Sequence, residues 1–213
     1  MFKIDSGGFY VDSSSASTTG RIAIALAVLA IIGLIFIILF YALIGRIENP
    51  FGTLNDICVA FGGILSGWLA WKLHPLHRSY APPISRFALG LGFVGACLVP
   101  LGSALVILNF TGWFLAGLIT TFGYAMIGLW LLLLNYSALH WLAFPRRLAQ
   151  YGIITGSMMG IGLLAAPAIL AHIDTMETAE WFVLLALFAG GFGWNILYTI
   201  WCLWLSFLLL TNQ

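Results

Sequence analysis

The polar side chains that could do chemistry in this sequence are few, and those deepest in apolar surroundings are neutral. Lys, Arg, Asp and Glu make up only 7% of the 213 residues, against about 25% in ordinary soluble domains. Asn195 and Tyr124 lie well inside long apolar runs, where a polar group that finds no hydrogen-bond partner costs free energy. Both are candidates for lining a polar cavity that holds a small neutral ligand. Hydrogen bonding between helices is the alternative.

Asp56 is the acidic residue that comes closest to the interior of an apolar run, and the sequence contains no acid between Asp56 and Asp174. A carboxylate inside a membrane is the usual sign of ion coupling or of a substrate site. We expect Asp56 in the first turn of the second helix, directly after Asn55. Two interpretations follow: Asp56 binds a cation or substrate, or Asn55 caps the helix while Asp56 complements the helix dipole.

Trp194 begins an aromatic row on the last apolar run. Trp194, Tyr198, Trp201 and Leu205 follow one another at spacings of four, three and four residues, which places them on one face of a helix. Such a wall could hold a flat apolar ligand such as a quinone, a carotenoid or a lipid tail. Most other tryptophans fall near the ends of apolar runs, as interfacial anchors do. Trp194 therefore joins Asn195, Tyr124 and Asp56 as a candidate ligand-binding residue.

The histidines and cysteines predict neither a metal site nor a cofactor. His74, His77 and His140 belong to one predicted side of the membrane and His172 to the other, so at most three of them can converge. The sequence does not decide whether those three do, and no acid accompanies them. The three cysteines fall in apolar stretches at unrelated spacings, unlike a disulfide framework or a zinc site.

No catalytic residue is predicted. The sequence contains no H-E-x-x-H motif, Walker A loop, nucleotide fingerprint or nucleophile elbow. We therefore expect a protein that is not an enzyme. An enzyme that modifies lipids stays open as a weaker alternative.

The elements that must position these residues are helices in a membrane. Six apolar runs of at least 20 residues occupy 22–44, 54–73, 87–108, 113–139, 148–173 and 181–210, and about 20 residues suffice to cross a bilayer. Runs of this length satisfy their backbone hydrogen bonds in lipid only as helices. The sequence predicts an all-α integral membrane protein, a bundle of six transmembrane helices that forms a single domain over 21–213. Residues 1–20, rich in Ser and Thr, are expected to form a flexible N-terminal tail.

Basic residues are distributed unevenly along this topology. Seven fall in the tail and the loops that share its side, and only Arg46 falls on the opposite side; the seven are Lys3, Arg21, Lys72, Arg78, Arg86, Arg146 and Arg147. This asymmetry predicts that both termini are cytoplasmic and that the protein is a multi-pass protein of the cell (inner) membrane. The lipid bilayer is then its partner, and the arginines could also hold anionic lipid headgroups at the cytoplasmic face.

Glycines and a proline set expectations for the fifth run. Gly152, Gly156 and Gly160 recur every four residues, a row that allows close packing against a neighbouring helix or serves as a homodimer face. Pro167 should kink the helix and leave the Leu163 carbonyl without its usual donor. A homo-oligomer therefore stays open, as does a partner in a larger membrane complex.

Together these features favour a protein that binds or passes a small neutral or apolar ligand. It would resemble a transporter or channel that works without carboxylate-driven ion coupling. The alternative is a non-catalytic structural or assembly subunit of a larger membrane complex. The net charge of +1 gives no reason to expect a nucleic-acid partner.

Overall fold

In a computed structural model the chain is described over residues 3–5, 8–10, 13–44, 49–139 and 144–211. Six of its helices are long and apolar enough to cross a membrane. They are α1 (Ser13–Ala42), α2 (Phe51–Tyr80), α3 (Pro82–Ile107), α4 (Trp113–Ala138), α5 (Arg146–Leu170) and α6 (Trp181–Thr211). The prediction of a helical bundle with six candidate spans is confirmed.

Short elements complete the described chain. Strands β1 (Lys3–Asp5) and β2 (Gly8–Tyr10) form an antiparallel pair before α1. A 3-10 turn, Met176–Thr178, lies between α5 and α6. Two of the spans change helix type along their length: α5 contains a 3-10 segment, Ile161–Ala165, and α6 contains a π turn, Gly193–Leu197.

Helix α4 is the most buried of the six spans and lies at the centre of the bundle. It contacts α3 on one side and α5 on the other, whereas α1 packs against α2 and against the Tyr198–Thr211 part of α6. The approach of α3 to α4 requires glycine: a Cβ atom on Gly95 would lie 2.4 Å from the Gly123 carbonyl oxygen. Close packing of this kind associates helices where lipid removes the hydrophobic driving force.

The glycine row of α5 faces α4 within the same chain. A Cβ atom on Gly156 would lie 2.5 Å from the Gly128 carbonyl oxygen, and one on Gly152 would meet the side chain of Asn135. A Cβ atom on Gly160 would lie 3.8 Å from its nearest neighbour, the side chain of Leu129. Gly152 and Gly156 therefore serve packing between α5 and α4, and the homodimer interpretation does not hold for them.

Helix α1 begins earlier than the sequence pattern predicts. It starts at Ser13, so residues 13–20 of the expected flexible tail are helical. The Thr18 and Thr19 hydroxyls donate to the carbonyl oxygens of Ser14 and Ser15, four residues back, at 2.9 and 2.8 Å. These hydroxyl groups make their hydrogen bonds within the helix. A Ser/Thr-rich segment can therefore extend an apolar span.

Helix α2 is longer than predicted at both ends. It starts at Phe51 because Asn49 fixes the preceding turn: its Nδ2 donates to the Phe40 carbonyl oxygen at 2.9 Å, and its Oδ1 accepts from the Phe51 N–H at 3.2 Å. The helix also continues through Pro75 to Tyr80, where a loop was expected. Asn55 therefore lies inside the helix and does not cap it.

Pro167 was predicted to leave the Leu163 carbonyl without a hydrogen-bond donor, and this prediction is wrong. The 3-10 segment Ile161–Ala165 precedes Pro167, and the Ala166 N–H donates to the Leu163 carbonyl oxygen. The tighter turn supplies a donor three residues on, in place of the one that proline removes.

Candidate functional site

A cavity of about 230 Å³ lies between α1, α2, α3, α4 and α6. It occupies the end of the bundle where α1 and α3 finish and where α2, α4 and α6 begin. Along α4 it runs from Trp113 to Thr121, about 12 Å at helical rise. Its hydrogen-bonding side chains include Asn55, Asp56, Ser103, Thr120, Thr121 and Asn195.

The structure brings together the four residues singled out from the sequence. Asp56, Trp194 and Asn195 line the cavity directly. Tyr124 stacks on Trp194, and both line an adjoining smaller pocket of about 20 Å³. Residues from α2, α4 and α6 that are far apart in the sequence thus belong to one region.

Asp56 lies in the second turn of α2, because the helix begins three residues before the predicted start. The side chain of Asn55, the preceding residue on α2, interacts with its carboxyl group. Among the described residues that line the cavity, Asp56 carries the one formal charge. The cavity therefore favours a positive charge over a negative one.

Asn195 belongs to the π turn of α6. Its Nδ2 donates to the Gly191 carbonyl oxygen at 3.0 Å, while the main-chain carbonyl oxygen of Asn195 accepts from the Thr199 hydroxyl at 2.7 Å. The side-chain amide of Asn195 thus donates within α6. From the sequence, a hydrogen bond to another helix is the alternative to lining a cavity, and within the described residues this donor makes no such bond. Single π turns are rare in proteins, and those that occur often lie at functional sites.

The ring of Tyr124 is held in position next to the cavity by contacts with α2. Its hydroxyl donates to the Val59 carbonyl oxygen at 3.2 Å, which ties α4 to α2. Gly62 leaves the room for it, since a Cβ atom there would lie 2.8 Å from the hydroxyl oxygen. The ring is thereby fixed in the position where Trp194 stacks on it.

Ser103 is a cavity residue that sequence reasoning missed. Its side chain on α3 is only 2% exposed, and its Oγ has no hydrogen-bond partner. A buried hydroxyl in this state costs free energy that a bound molecule with a donor or acceptor recovers. One serine in an apolar run gives no signal that would have identified it.

The predicted aromatic wall divides into two parts. Trp194 faces the cavity, whereas Tyr198, Trp201 and Leu205 are buried in the core. Trp201 lies edge-on to Trp130, with centroids 6.5 Å apart and planes at 85°. The wall available to a ligand in the larger cavity is therefore Trp194, while Tyr198 lines only the smaller pocket.

The histidines of α2 lie at the opposite end of that helix from Asp56. His74 Nδ1 hydrogen-bonds with the Ser85 hydroxyl at 2.8 Å, and His77 Nε2 with the Ser137 hydroxyl at 3.1 Å. His140 lies outside the described residues. Within the described part of the chain no group of three His, Cys, Asp or Glu side chains is placed to hold a metal ion.

Comparisons with known proteins do not assign the chain to a family. It matches no family model, no curated protein and no solved structure. The geometry of the cavity is therefore the basis for a functional proposal.

Proposed function

We propose that this chain is a multi-pass membrane protein that binds a small neutral or apolar ligand in the cavity between its helices and passes it across part of the bilayer. The cavity supports this proposal because its walls are largely apolar, with a few polar groups at defined positions. That combination is typical of small-molecule sites. Its volume of about 230 Å³ suits a compound with one ring or two fused rings.

The unpartnered hydroxyl of Ser103 is the observation that carries the proposal. Ser103 is only 2% exposed and belongs to the residues that line the cavity. Its hydroxyl has no hydrogen-bond partner, and a ligand that reached it with a donor or acceptor would gain that hydrogen bond.

We place both termini in the cytoplasm and the protein in the cell membrane. The basic residues that lie at the ends of α2, α3 and α5 support this orientation by the positive-inside rule; they are Lys72, Arg78, Arg86, Arg146 and Arg147. At that end Lys72 lies over the ring of Trp71, with Nζ 5.9 Å from the centroid, as is typical of a membrane interface. The cavity then lies in the outer half of the membrane, and anionic lipid headgroups would contact the inner end.

Two glycines of the cavity allow a test that leaves the packing intact. A Cβ atom on Gly117 or on Gly191 would meet no atom within 4 Å, so a larger side chain at either position fills the cavity without displacing a helix. Gly90 has the same open surroundings but lies outside the cavity, and Gly90→Leu is therefore the matched control.

The experiment measures the melting temperature of the purified chain in detergent with indole and with benzyl alcohol as probes. We expect both probes to raise the melting temperature of the parent protein and of Gly90→Leu, and neither to raise that of Gly191→Leu. Flux of the same probes into proteoliposomes should follow the same order. Equal shifts in all three proteins would overturn the proposal.

The second candidate is a structural or assembly subunit of a larger membrane complex. Large aromatic side chains on the outer surface, such as Phe87, Phe188 and Phe207, are about two-thirds exposed and would suit partner helices as well as lipid. Purification in mild detergent separates the two proposals. A stoichiometric partner together with no response to either probe would favour the subunit.

A further inference from the structure

The charge in the cavity makes its ligand more specific. Asp56 is the one acidic residue within the six spans. A carboxylate at such a position is costly unless a positive charge or several donors compensate it. The neighbouring Asn55 is a neutral partner, and Asp56 is the only charged side chain among the described residues of the lining.

A second group in the same cavity requires a hydrogen-bond partner. The Oγ of Ser103, on the neighbouring α3, is buried and unpartnered. A hydroxyl oxygen can accept from an N–H donor. A molecule that carries several N–H groups and one positive charge would satisfy both Ser103 and Asp56.

An aromatic surface completes the arrangement. Tyr124 covers one face of Trp194 at a centroid distance of 4.3 Å, and Trp194 also lines the cavity. An aromatic ring attracts a cation or an adjacent flat ring. The open volume of about 230 Å³ is much larger than a dehydrated metal ion, so an organic cation fits the site better than an inorganic one.

We propose that the cavity binds a primary ammonium compound with a flat apolar body. Its N–H groups donate to the Asp56 carboxylate and to the Ser103 hydroxyl, and its body packs against Trp194. This inference rests on the ligand site proposed above and changes one property of the ligand, its charge.

The test compares three probes of similar size at pH 7 on the full chain in detergent: benzylammonium, benzyl alcohol and benzoate. Isothermal titration should give the tightest binding for benzylammonium and the weakest for benzoate. Asp56→Asn should weaken benzylammonium about tenfold or more while leaving benzyl alcohol unchanged, which also shows that this variant is folded. Ser103→Ala should weaken benzylammonium about fivefold, the equivalent of one hydrogen bond.

Controls separate this inference from the ligand site itself. Glu177→Gln changes an exposed acid between α5 and α6 and should leave all three affinities unchanged. If benzyl alcohol and benzylammonium bind equally and Asp56→Asn affects neither, the charge inference fails and the ligand site stands. If no probe binds, both proposals fail. If sodium chloride raises the melting temperature and benzylammonium does not, an inorganic cation occupies the site and the inference fails.

Discussion

The indole ring of Trp194 stacks face to face on the phenol ring of Tyr124, with centroids 4.3 Å apart and planes inclined by only 1°. Because the Tyr124 hydroxyl also donates to the Val59 carbonyl oxygen, this pair joins α2, α4 and α6 beside the cavity. The position of Trp194 thus depends on a hydrogen bond made by a different helix.

Removing the Tyr124 hydroxyl should separate that hydrogen bond from the stacking. We expect Tyr124→Phe to lower the free energy of unfolding by about 1 kcal/mol and to keep the stack, whereas Tyr124→Leu should lose the stack as well and cost about 1 kcal/mol more. Reversible unfolding in mixed detergent measures both. Tyr151→Phe is the control, since the Tyr151 hydroxyl has no hydrogen-bond partner and its removal should cost nothing. An equal loss in Tyr151→Phe would contradict this interpretation.

Asp174 should stabilise the start of α4 from the loop after α5. Its carboxylate accepts from the Gly112 N–H at 2.8 Å and from the Leu115 N–H at 3.0 Å, so it acts as a helix cap supplied from about 60 residues away. We expect Asp174→Ala to reduce the free energy of unfolding by about 1 to 2 kcal/mol. Glu177→Ala in the same loop should have no measurable effect. Equal losses in the two variants would show that the loop's charge, and not the cap, stabilises the helix.

The glycine row of α5 should respond unequally along its length. Gly156→Ala introduces a methyl group beside the Gly128 carbonyl oxygen and should cost about 1 to 3 kcal/mol of stability through overpacking. Gly160→Ala meets its nearest neighbour only at 3.8 Å and should be neutral or stabilising. Unfolding and size-exclusion chromatography together make the check. A stable Gly156→Ala protein whose oligomeric state changes would restore the dimer interpretation.

Cysteine labelling should reveal the orientation. With Cys58, Cys97 and Cys202 replaced by alanine, a membrane-impermeant maleimide added to intact cells should label Thr175→Cys at once. Ser79→Cys should react only after the membrane is permeabilised, because the basic residues on its side favour the cytoplasm. Labelling of position 79 in intact cells would reverse the proposed topology.

The sequence was sufficient to predict the number of candidate spans and to select four residues that the structure brings together in one region. Span number follows from the length of apolar runs, which few charges interrupt. Asn195 and Trp194 could be identified because depth along a helix can be counted from its polar end. Asp56 was placed one turn too near the surface, because the bonds of Asn49 to Phe40 and Phe51 that start α2 depend on a contact with α1.

The unpredicted features depend on contacts between helices. Ser103 became a candidate only when the structure showed its hydroxyl buried and unpartnered. The Asp174 cap joins two loops that no local pattern connects. Pro167 indicated an irregularity in α5, but the 3-10 segment that resolves it depends on backbone geometry and not on residue type.

The π turn at Gly193–Leu197 also sets the rotational phase of α6. A turn that holds an extra residue shifts every later side chain by about 100° around the helix axis relative to an uninterrupted α-helix. Before the turn α6 packs against α4 and α5, and after it α6 packs mainly against α1 while it stays in contact with α5. One backbone irregularity therefore allows the second half of the helix to pack against α1, and Asn195 lies where this change begins.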